Sequence, residues 1–66
     1  MNKRVVQAFL HWLDTATEAE IETRRQAFLD ALTQFHGKDA RADLRLGLCL
    51  IEEELVARAD LWRARP

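Results

Sequence analysis

Residues 39–63 read DARADLRLGLCLIEEELVARADLWR, and the reading of this stretch decides the fold. Its middle, Leu44 to Ile51, is apolar at nearly every position, Arg45 excepted. At about 100° per residue, Leu44, Leu48, Ile51, Leu55, Ala59 and Trp62 line one face of a helix. Leu46, Leu50, Ala57 and Leu61 line a second, and Cys49 and Val56 a third. A helix that is apolar on all sides needs cover on all sides. Gly47 weakens a helix interior by about 1 kcal/mol relative to alanine, which is explicable where another helix backbone comes close.

The neighbouring residues offer limited cover. Thr17 and Glu20 fit a capping box that opens a second helix running to about residue 36. Its stripe is Ile21, Phe28, Leu32 and Phe35, flanked by Leu29 and Ala31. Gly37 stands where a left-handed residue would close it, and Asp39 where a side chain would cap the third helix. The short link makes these helices antiparallel neighbours. Arg24 and Arg25 interrupt the stripe where an apolar residue belongs. Either their stems lie along the core edge, or they face an acidic group on a partner, unpaired within the chain.

Upstream, Asn2 can cap a helix over residues 3–14. Val5, Val6, Phe9, Trp12, Leu13 and Ala16 share one face, with Lys3, Arg4, Gln7, His11 and Asp14 opposite. Three turns do not hold a helix in water, so this one packs on the hairpin. No segment alternates in the manner of a strand. The expected fold is all-α: a hairpin of about 17–36 and 39–63 plus a short helix of about 3–14, in one domain over residues 1–66. At about 1.5 Å per residue the two long helices span roughly 30 and 36 Å. The first helix covers only part of that length. A twofold dimer burying Leu46, Gly47, Leu50 and Leu61 would supply the missing cover.

The 66 residues hold ten basic and eleven acidic side chains, for a net charge of -1. A nucleic-acid protein typically carries a basic excess. The single cysteine, Cys49, admits no internal disulfide and suits a reducing compartment. No uncharged apolar run reaches membrane-spanning length, and the N-terminus lacks a small-residue cleavage site. A cytoplasmic protein is expected. There is no glycine-rich phosphate loop, paired-cysteine zinc spacing or HExxH, so neither cofactor nor metal is expected. Glu54 and Arg58 read as a solvent-facing pair one turn apart. Glu52, Glu53 and Glu54 point in different directions on a helix and make no acid–base pair. No enzymatic activity is expected.

What remains is binding. Tryptophan is enriched at binding hot spots, so Trp12, Trp62, Arg24 and Arg25 are the candidate partner contacts. Lys38, Arg41 and Arg45 form a basic cluster that offers a DNA-binding alternative, with Asp39 and Asp43 opposing phosphate. In size, helical make-up and the stretch ARADLRLGLCLIEEELVARADLW, the chain resembles small all-α accessory proteins of bacteriophages and other mobile elements. Those bind a host protein, such as a quorum-sensing activator or a CRISPR effector, and block its surface. The resemblance implies a stoichiometric inhibitor or anti-activator of a host regulatory protein and transfers no site residue.

Overall fold

The computed structural model describes residues 2–64. Three helices follow in order: α1 (Lys3–Thr15), α2 (Glu18–Gln34) and α3 (Lys38–Arg63). The fold is all-α, and none of the helices is long and apolar enough to cross a membrane.

Local chemistry sets the first two starts. The Asn2 side chain accepts the Val5 N–H at 2.9 Å. The Thr17 hydroxyl accepts the Glu20 N–H at 3.1 Å, and the Glu20 carboxylate accepts the Thr17 N–H at 3.0 Å. Those bonds, the backbone one first and the Thr17 hydroxyl second, hold the Glu20 carboxyl below its ordinary value. A lowered folded-state value means the contribution is complete above the ordinary carboxylate range. It is lost as pH falls through the lowered one. Urea midpoints measured between neutral and acidic pH should therefore fall less in Glu20→Gln than in the parent chain.

The junction between α2 and α3 departs from expectation. Gly37 does not end α2 in the left-handed region; its φ is -65° and it precedes α3 as an uncapped start. Asp39 is no cap either, lying inside the first turn. Instead α2 stops at Gln34, and Phe35 turns extended. The reason is Arg41, whose guanidinium donates to the carbonyls of Leu32 and Phe35. A side chain from the next helix satisfies the orphan carbonyls that a left-handed turn would otherwise serve.

Arg25 to Glu52, Phe28 to Gly47 and Arg41 to Leu32 form an antiparallel series of contacts joining α2 to α3. Phe9 on Phe28 and Trp12 under Arg24 fold α1 back along α2 in the same sense. The close approach at Gly47 is made by a ring, not by a helix backbone. A Cβ there would lie 2.5 Å from Phe28 Cε2. Phe28 is held from the other side by Phe9, with ring centroids 5.8 Å apart, so it has little room to yield. Gly47→Ala should lose about 1 kcal/mol net, overpacking outweighing the gain in helix propensity. In a Phe28→Leu background the same substitution should turn neutral or stabilising in urea melts.

The interior is small. Leu13, Ala16, Ile21 and Ile51 form the buried core, with Phe9, Trp12, Phe28, Leu50 and Leu55 packed against it. The chain measures 47 × 24 × 15 Å along its principal axes, with a radius of gyration of 13.1 Å. A compact chain of this length has a radius of about 11 Å. Accessible surface amounts to 5153 Å², against about 4,300 Å² for a typical folded monomer of this mass. The molecule is an elongated, surface-rich slab.

Candidate functional site

The four candidate contact residues do not form one site. Trp12 is half-buried on α1 and stacks on Phe9, with centroids 5.7 Å apart. The Arg24 guanidinium lies over its ring, 4.6 Å from the centroid. Together they line a groove with Ala19, Glu20, Thr23 and Ala27. Arg24 thus turns towards α1, and the quadrupole of the indole holds its charge.

Arg25 is one residue further round α2 and turns the other way, towards α3. Its Nε donates to Glu52 at 2.8 Å, and Glu22 lies 3.7 Å from its Nη1. Hydrogen bonding to Glu52, then its charge, raises the Arg25 value. The two arginines are therefore not unpaired, as their interruption of the stripe suggests. One is stacked and the other salt-bridged, each serving a different helix contact.

Trp62 lies elsewhere. It is 67% exposed and shares a shallow groove with Leu61, Glu18 and Arg58. The α3 line of Leu44, Leu48, Ile51, Leu55, Ala59 and Trp62 accordingly loses its cover before Trp62: Ile51 is buried and Leu55 packs on the core, while Ala59 is exposed. The residues expected at a dimer contact are also divided. Gly47 is sealed beneath Phe28, and Leu50 packs against the core. Leu46 and Leu61 stay exposed, at 41% and 70%.

Arg58 is the residue that sequence reasoning placed least well. Its Nε donates to Glu54 at 3.0 Å, and its Nη2 donates to the carbonyls of Leu13 and Ala16 at 2.8 Å each. The Glu54–Arg58 pair is largely shielded rather than solvent-facing, with side-chain exposures of 24% and 21%. Arg58 closes the C-terminal end of α1, as Arg41 closes that of α2. Arg41 is thereby removed from the basic cluster, leaving Lys38 and Arg45 exposed. No local signal marks such arginines, because their acceptors lie in other helices.

The long exposed strip of α3 is a further surface. Cys49, Glu52, Glu53, Val56, Ala57 and Asp60 line one open groove there. Its signal in the sequence is a seven-residue spacing, Leu46–Glu53–Asp60 beside Cys49–Val56. Among the described residues no three His, Cys, Asp or Glu side chains gather to hold a metal ion.

The chain matches no known protein family, no curated protein and no solved structure.

Proposed function

We propose that the chain is a small non-enzymatic interaction module that binds another protein stoichiometrically. It would act as an inhibitor or anti-activator by masking a surface of a host regulatory protein in the cytoplasm. The observation that carries this reading is the excess of exposed surface. The chain presents roughly 800 Å² more than a monomer of its mass usually does. That is about the area one partner contributes to an interface of standard size. Seven large apolar side chains contribute to it: Val5, Leu10, Phe35, Leu46, Val56, Leu61 and Trp62 are each at least 41% exposed. Exposed apolar patches on small proteins usually mark contact surfaces.

A twofold dimer across Leu46, Gly47, Leu50 and Leu61 is less well supported, since its two central residues face inward. The DNA-binding alternative is likewise reduced, since Arg41 serves as a helix cap. Affinity capture from host lysate followed by size-exclusion chromatography tests the reading. The expected result is one protein co-eluting in fixed stoichiometry. Retention of DNA in a low-salt shift assay, with no protein co-eluting, would overturn it and favour Lys38 and Arg45 as phosphate contacts.

A further inference from the structure

We propose that the outward strip of α3 pairs with the same strip of a second copy, antiparallel, about a twofold axis at Cys49. The inference goes beyond the interaction-module reading and does not rest on it.

Between Lys38 and Asp60, six residues fall within about 40° of Cys49 on the helix surface, at about 100° per residue. Arg45 and Glu53 stand four positions before and after it, Ala42 and Val56 seven, and Lys38 and Asp60 eleven. Cys49 and all six are exposed. This face differs from that of Gly47 and Leu50, which meet Phe28 and the core. The strip is basic before Cys49 and acidic after it. Asp39 and Asp43 do not disturb that order, since they lie about 80° and 120° round the helix.

Among the described residues none of these four charged side chains is in an ion pair; the polar contact of Glu53 is the Cys49 thiol, at 3.9 Å. The chain has no other cation to offer them. Arg58 is committed to Glu54, Leu13 and Ala16, and Arg41 to Leu32 and Phe35.

A charge covered by a partner is costly unless an opposite charge meets it. The strip carries its own complement. In the antiparallel register that sets Cys49 on Cys49, Arg45 meets Glu53 of the second copy, Ala42 meets Val56, and Lys38 meets Asp60. Twofold symmetry makes each of these contacts twice. A parallel copy in register would set like on like at every charged position. The order of charges thus selects the antiparallel copy. A foreign helix would need the same reversed order that this chain already holds.

Ala42, Cys49 and Val56 repeat every seven residues, the spacing of a helix seam, and the first two are small. Helices about 9 Å apart, with Cα atoms about 2.3 Å from each axis, bring facing Cα atoms to about 4–5 Å. That is within reach of a disulfide. Leu61 and Trp62 lie at least about 120° round from Cys49 and stay uncovered by this contact.

Sedimentation equilibrium of the intact chain, in reductant and at low salt, should give twice the 7.7 kDa mass, with dissociation as salt rises. Arg45→Glu alone, or Glu53→Arg alone, sets like charges at both symmetry-related pairs. Each should raise the dimer dissociation constant at least about tenfold. The swap of both restores opposite charges where position 45 faces position 53 of the second copy. It should return the constant to within about threefold of the parent. Within one helix the two positions are about 12 Å apart, so the rescue cannot arise inside a single chain. Oxidation by diamide should link the parent and the swap through Cys49 and link the single variants far less. Circular dichroism checks helix content, and Lys38→Glu with Asp60→Lys repeats the test if the first swap loses it. A monomer at near-millimolar concentration, a dimer indifferent to the single reversals, or a swap no tighter than either single variant would overturn the proposal.

Discussion

Ile51→Ala should abolish the cooperative unfolding transition of this protein near room temperature. Ile51 and Ile21 are the two side chains sealed completely, at 0% exposure, in a core of four buried residues. Truncating a buried isoleucine to alanine typically costs about 2–5 kcal/mol, from lost transfer energy and the cavity left behind. A chain of this length has a total stability of roughly 3–10 kcal/mol. So small a core has few neighbours that can move in to fill the gap. Urea titration followed by circular dichroism should show a broad, non-sigmoidal loss of helix in place of a midpoint. Ile51→Val, which removes one methylene, should keep the transition and lose about 1 kcal/mol. If Ile51→Ala melts within a few degrees of the parent, the four-residue core is not what holds the helices together.

Arg58→Ala should come next in effect, losing about 3 kcal/mol. Hydrogen bonds made by a charged group contribute about 1.5–3 kcal/mol each, less than additively when they share one group. Arg58 makes three, two of them to backbone carbonyls at the end of α1. Its removal also leaves Glu54 partly shielded and without its partner. Arg58→Lys should recover less than half of the loss, since a lysine ammonium lacks the planar fork that spans a carboxylate and two carbonyls. The damage should be local. Hydrogen exchange should rise first in the amides of α1, which reaches α3 through this contact, while α2 and the adjoining part of α3 stay protected. Uniform loss of protection across all three helices would show that Arg58 does not act as the tie between α1 and α3.

These two substitutions differ in how visible their targets are in the sequence. Ile51 stands in an apolar line with spacings of three and four, so its inward direction follows from helical periodicity alone. Arg58 looks from its spacing like the second half of an exposed pair with Glu54. What makes it structural is a pair of acceptors 45 and 42 residues away. Arg41 is a parallel case: its acceptors are carbonyls of the preceding helix. The expected closing role of Gly37 fails for that reason: the α2 carbonyls already have a donor, so no left-handed glycine is required at the turn. Asp39 is no cap for a separate reason, since α3 begins at Lys38 and places it inside the first turn.

The candidate site divides in the same way. Exposure of Leu61 fits its place on the second apolar line of α3, which the sequence leaves short of cover; that of Trp62 does not, since periodicity sets it in line with the packed Ile51 and Leu55. The pairing of Arg24 with Trp12 and of Arg25 with Glu52 is not legible either, because adjacent helical residues diverge by about 100° and their partners depend on where the other helices lie.

Composition, periodicity and the caps at Asn2 and Thr17 by themselves determined three helices, their order and a helical hairpin. Those signals act over three or four residues, within one turn, so they are complete before any helix meets another. Tertiary structure alone decided that Phe28 seals Gly47, that Arg41 and Arg58 close the ends of other helices, and that the Leu46–Asp60 strip faces outward. Each of these depends on the docking of helices far apart in the chain, where spacing along the sequence carries no directional information.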